Sequence, residues 1–128
     1  MNRSRIALQF ALAALLTTGA VAQSDLFILT SDFATGSTAL LPADADAAQV
    51  NVIGIHSDAS GHYQKGRVYI VNRLGADNIL VLDPADLATP VIQFSVGNGS
   101  NPRDIEILAE GKAYVTRYGS TDLLVVNP

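Results

Sequence analysis

Short apolar runs rich in Val, Ile, Leu and Tyr follow one another along this chain: VYIV (68–71), ILVL (79–82), VIQFSV (91–96), IEIL (105–108), AYV (113–115) and LLVV (123–126). Clusters of Gly, Asn, Asp and Pro bound them, as in LGADN (74–78), DPADLATP (83–90) and GNGSNP (97–102). Short runs of β-favouring residues between turn formers read as strands, whereas a helix needs apolar residues at three-and-four spacing over about a dozen positions. Unbroken runs such as ILVL and LLVV further imply strands covered on both faces.

The pattern repeats. RLGADNILVLDP (73–84) aligns without gaps on RYGSTDLLVVNP (117–128), with Arg, Gly, Leu, Val and Pro identical. Upstream, Gly66 and Tyr69 match Gly111 and Tyr114, and Asp58 in HSDA matches Asp104 in PRDI. A fainter copy, LFILTSDFATGSTALLP, starts at Leu26, and Phe27 to Pro42 spans the same length as Tyr69 to Pro84. The period is 42–46 residues, within the range of solenoids and propellers. Four strands fit one period: 58–63, 67–72, 78–82 and 90–96, and the next copy supplies 103–108, 112–117 and 122–127. The expected class is therefore all-β, a β-propeller of four-stranded blades, with about two and a half blades spread over residues 23–128. Closed propellers use about four to eight blades. The uncovered blade faces then belong to part of a longer product, to a chain that self-associates through its open faces, or to an open sheet that is stable alone.

The segments YIVN (69–72) and YVTR (114–117), each a short step after a Gly and each followed by an apolar strand ending in Asp-Pro or Asn-Pro, resemble the YVTN-repeat β-propellers of secreted and surface prokaryotic proteins. The resemblance covers roughly Leu26 to Pro128, with the signature falling on Gly66, Tyr69, Ile70, Val71 and Asn72 and on Gly111, Tyr114, Val115 and Thr116. Arg117 stands where the signature has Asn, and Pro102, Asp104 and Ile105 match its opening turn and strand. The family implies a propeller fold and leaves the activity open, because such folds serve many roles.

Residues 1–22 read as a secretory signal: a basic MNRSR, an apolar run from Ile6 to Leu16, and small residues at Ala20 and Ala22. The run is about half of the roughly 20 residues a spanning helix needs. Export to a periplasm or the exterior is the expectation, with no membrane association after cleavage. Of 8 basic residues, Arg3 and Arg5 lie in the signal, so the remainder carries 12 acidic against 6 basic groups. Such an acidic chain lacks the basic surface that nucleic acid requires. It has no cysteine, so neither a lipid-anchored Cys nor a disulfide framework is available.

In four-stranded blades, the turn after the second strand shares a face with the link into the next blade. That face would gather GIHSD (54–58), Arg73 to Asp77, GNGSNPRD (97–104) and Arg117 to Thr121. The candidate ligand residues on it are His56, Asp58, Arg73, Asn101, Arg103, Asp104 and Arg117. Arg73 and Arg117 can fork onto a carboxylate or sulfate, or else cap their turns and pair with acidic neighbours. His56, Asp58 and His62 are the one set resembling a metal site, but their spacing matches no short motif, and a loop histidine beside a structural aspartate is the plainer reading. Asp58 and Asp104 recur in successive copies, which favours turn-holding over catalysis. GNGSNP precedes a strand and not a helix, so it is no phosphate cradle. DADAAQ (44–49) lacks the Gly and final Glu of a calcium loop and reads as a solvated linker. No metal and no cofactor are expected. The reading that follows is an exported, non-enzymatic binding or scaffold module with an unidentified ligand or protein partner. The alternative is part of a propeller enzyme, a hydrolase or lyase acting on lactones or polysaccharides, with its catalytic residues in other blades.

Overall fold

The computed structural model describes residues 24–128, and the expected secretory signal lies outside them. All regular structure among the described residues is strand: β1 (Leu26–Ser31), β2 (Gly36–Leu41), β3 (Gln49–Ile55), β4 (Ala59–Gln64), β5 (Arg67–Asn72), β6 (Asn78–Asp83), β7 (Asp86–Ser95), β8 (Pro102–Ala109), β9 (Lys112–Arg117) and β10 (Leu124–Val126). They form three antiparallel sheets in the orders β1-β2-β3, β4-β5-β6-β7 and β10-β9-β8. The protein is all-β, as its pattern of apolar runs predicts.

The expected strands at 67–72 and 112–117 coincide with β5 and β9. Three places differ. β7 begins at Asp86 and not near residue 90, because bulges between Val81 and Asp83 let Leu82 pair with Pro90 and Asp83 with Asp86. β10 is only three residues long. β3 runs through Gly54 and Ile55, so the loop expected from residue 54 starts at His56. β3 is also bulged opposite Ser37 and Ala39, with Asn51 at a φ of 55°. There the Thr38 hydroxyl accepts the Ile53 N–H at 3.0 Å and donates to the Ile53 carbonyl at 3.2 Å, which satisfies backbone groups that the bulge leaves unpaired.

Tight turns follow from local chemistry. β4 and β5 are joined by the two residues Lys65 and Gly66, both at positive φ (48° and 76°), and Gln64 pairs with Arg67 across the hairpin. Two positive φ angles are the type I′ geometry that matches strand twist.

The middle sheet is buried on both faces. Side chains alternate along a strand, so Val68, Ile70, Leu80 and Leu82 pack with Leu87 against Phe27, Leu29, Leu40, Val52, Ile53 and Ile55 of the first sheet. Tyr69, Val71, Ile79 and Val81 pack against Ile105, Ile107, Ala113, Val115, Leu124 and Val126 of the third. Ile70, Val71, Ile79 and Leu82 are fully enclosed. Each such side chain contributes about 1.5–3 kcal/mol of burial, so most of the apolar stabilisation comes from contacts between sheets.

The stacking has one sense. Cross-strand pairing sets Phe27 opposite Leu40, Tyr69 opposite Val81 and Tyr114 opposite Val125. The first two rows each face the following sheet, while Ile70 with Leu80 and Val115 with Leu124 face the preceding one. In both contacts, therefore, the equivalent row of the earlier sheet faces the later one.

Candidate functional site

At one end of the stack, loops distant in sequence join into a single hydrogen-bonded surface. Asp77 closes the β5–β6 turn at a φ of 46° and is 1% exposed. Its carboxylate accepts the N–H of Gly99 at 2.7 Å and of Asn101 at 2.8 Å, while its carbonyl accepts the N–H of Val96 at 3.0 Å. The GNGSNP link into β8 is thus wrapped on one buried carboxylate, a nest of backbone donors around an anion supplied by the chain itself.

Arg73 ties three segments together. Its Nη1 donates to Asp58 Oδ1 at 2.9 Å, its Nε donates to the Pro102 carbonyl at 3.1 Å, and its backbone N–H donates to the Asp58 carbonyl at 3.2 Å. The side chain is only 14% exposed. Asn72 and Asn78, opposite each other on β5 and β6, extend the surface to the first sheet. Asn72 Oδ1 accepts the His56 N–H at 2.9 Å and its Nδ2 donates to Asn78 Oδ1, whose own amide donates to the Ala76 carbonyl, both at 2.9 Å. His56 Nδ1 accepts the Asp58 N–H at 3.1 Å. Asn101 completes the path: its Oδ1 takes the Leu74 N–H at 3.4 Å and its carbonyl takes the Tyr118 N–H at 2.9 Å.

Of the candidate residues, His56, Asp58, Arg73 and Asn101 therefore share one network. Arg103 and Asp104 lie on β8 outside it, and both are exposed. Arg117 donates to Ser120 Oγ at 3.3 Å, with its Nε buried and unpaired among the described residues. Two sequence matches shift. Arg117 is the last residue of β9, opposite Pro102, and so occupies the strand position of Asn72 and not of Arg73. Asp58 precedes β4 and its carbonyl receives Arg73, a role that Asn101 plays toward Tyr118, whereas Asp104 sits inside β8 opposite Thr116. Asp104 lies three residues beyond Asn101, and the β-bulge between Pro102 and Asp104 supplies one of the three. Asn72, part of the repeat signature, carries much of the network together with Asp77 and Asn78, which the repeat does not single out because positions 121 and 122 are Thr and Asp.

A second polar row runs between the inner strands β4 and β8. Ser60, His62 and Gln64 alternate along β4 and face β8, an edge strand of its sheet. Gln64 Nε2 donates to the Ile105 carbonyl at 2.8 Å and its Oε1 accepts the Ile107 N–H at 2.9 Å, as a paired strand would. Ser60 Oγ donates to the Arg103 carbonyl at 3.3 Å. His62 Nδ1 meets Asp104 Oδ1 and its Nε2 meets Ser60 Oγ, both at 3.3 Å. Serine, imidazole and carboxylate in series meet the first geometric tests of a nucleophile relay. The Ser60 hydroxyl has a single proton, which the Arg103 carbonyl and His62 Nε2 share as competing acceptors. With Gln64 in the same row, the set is explained as a clip that satisfies the edge of β8.

His56 and His62 thus have separate partners, and no three His, Cys, Asp or Glu side chains gather as a metal site among the described residues. A groove of about 630 Å³ lies between the first two sheets, floored by Phe27, Leu29, Leu40, Val68 and Leu87.

No protein-family model matches the chain, and no curated protein matches it.

Proposed function

We propose that the three sheets are successive blades of a β-propeller-type array and that the protein is an exported binding module, not an enzyme, using its turn face for recognition. The observation that carries the reading is the single sense in which the sheets stack, together with the network that fixes three separate loops on one surface. Asp58, Arg73 and Asp77 are committed to holding that surface, which makes them framework and not reactive groups. The groups left for a ligand are the exposed Leu74 and Tyr118, flanking Asn101, with the Arg103 and Arg117 guanidinium groups nearby in sequence. Exposed apolar side chains on a rigid polar base, with arginines one or two residues along the chain, suit an aromatic or apolar ligand bearing a carboxylate.

Phenylacetate is the simplest probe of that chemistry. Titrated into the isotopically labelled protein, it is expected to shift the amide resonances of Leu74, Asn101 and Tyr118 saturably, with the response weakened in Arg103→Gln. Shifts that are absent, or diffuse and unsaturable, would remove the turn face from consideration.

A further inference from the structure

We infer that the outer face of the third sheet is a docking surface for a second copy of this chain, bound head to tail through the outer face of that copy's first sheet. The inference rests on the reading of the sheets as members of one array.

The chain itself shows what covers such a face. Row by row, Tyr114 and Val125 take the positions of Tyr69 and Val81, and Glu106 takes that of His62, because Glu106 pairs with Tyr114 and Tyr114 with Val125 as His62 pairs with Tyr69 and Tyr69 with Val81. In the middle sheet this face is closed over by the third sheet. In the third sheet it is open among the described residues, and Leu108, Leu123 and Val125 are each more than half exposed. The opposite end of the stack is its counterpart. Ile28, Ala39 and Val50 form the row equivalent to Ile70 and Leu80, which the preceding sheet covers, yet Leu26 and Val50 are more than half exposed. One end thus presents the face that a following sheet covers, and the other presents the face that a preceding sheet covers.

The inner row bounds the contact. In the middle sheet, Ser60, His62 and Gln64 reach across to the edge of the next sheet's first strand. Among the described residues the first sheet has no strand in that position, since β1 and β2 match β5 and β6, so the contact is one of β9 and β10 with β1 and β2 and leaves β8 out. A contact between two different faces is heterologous, so copies joined by it either close into a ring or continue as a chain.

Because the chain has no cysteine, single cysteines report the contact without background. Val125→Cys and Val50→Cys, placed on opposite ends, are mixed and treated with a short bismaleimide, and the mass of the unmodified full chain is measured by light scattering across concentrations. The expected results are a mass that is a multiple of 13.4 kDa and cross-linking between the two variants when mixed, with neither variant cross-linking to itself. Val125→Glu, which replaces an exposed side chain and spares the inner stack, should return the mass to that of one chain. A single-chain mass at all concentrations would overturn the inference, and so would self-cross-linking of either variant alone. Failure here with the phenylacetate response intact would sink the association and leave the turn-face reading standing.

Discussion

The Asp77 carboxylate sits 2.7 Å from the backbone nitrogen of Gly99, 22 residues away in the next link, and this contact shapes the turn face. A buried carboxylate taking two N–H groups is worth more than an ordinary neutral hydrogen bond. Asp77→Ala leaves both donors without a partner and should cost roughly 1–3 kcal/mol. Asp77→Asn keeps one acceptor, and Asn tolerates positive φ, so its loss should be smaller. Denaturant melts of both variants check the order, and equal losses would show that the carboxylate does not hold the link.

The Gln64 amide replaces a missing strand at the edge of β8. Gln64→Ala is expected to lower stability by about 1–2 kcal/mol and to speed amide exchange at Ile107 more than at other β8 positions. If the clip reading of the inner row is right, a fluorophosphonate probe leaves Ser60 unlabelled; labelling that vanishes in Ser60→Ala would instead reveal a working nucleophile.

Much of this was legible in the sequence, and the parts that were not share a cause. β5, β6 and β9 stand out because their apolar runs are unbroken and bounded by turn residues, and that in turn reflects burial against neighbouring sheets. β3 was hidden because the bulge at Asn51 disrupts its alternation, so QVNVIGI shows neither a period of two nor a solid run. Arg73 was expected to cap its turn or pair with an acidic neighbour, and it does pair, but which carboxylate it meets, Asp58, was not legible. Asp77 was obscured because its partners are backbone N–H groups, which leave no mark in a sequence. The apparent match of Asp58 with Asp104 fails because Asn101 takes the Asp58 role before β8 begins, while Asp104 lies inside β8 and meets His62.

Two glycines separate backbone from side-chain crowding. A Cβ on Gly36 would collide with the His56 carbonyl oxygen, which the end of β3 cannot withdraw without moving. Gly36→Ala should therefore cost roughly 1–3 kcal/mol and disturb the His56 bond to Asn72. On Gly61 the nearest atom is Leu29 Cδ1 at 2.9 Å, the end of a flexible side chain. Gly61→Ala should change stability by under about 1 kcal/mol, since reduced freedom of the unfolded chain offsets the crowding. Thermal melts of the pair give the comparison, and a more damaging Gly61→Ala would contradict it.

Alkaline stability reports on Tyr69. Burial between the second and third sheets raises its phenol above the usual value of 10.0, opposed in part by Arg67. The unfolded chain ionises this group first, so stability falls as pH climbs above 10.0 toward the folded-state value. Tyr69→Phe removes the term and should flatten that part of the pH profile while leaving the neutral region nearly unchanged. A profile with the same alkaline slope in both proteins would place the phenol in water.

The double coverage of the middle sheet is tested most directly by hydrogen exchange, residue by residue, under native conditions. The amides of β5 and β6, at Ile70, Val71, Ile79 and Leu82, should be the slowest in the molecule, with β1, β2, β9 and β10 exchanging faster at concentrations where the chain is a monomer, because among the described residues of one chain each of those sheets is covered on one face. Exchange at β5 and β6 as fast as in the outer sheets would mean that the stack does not exist in solution.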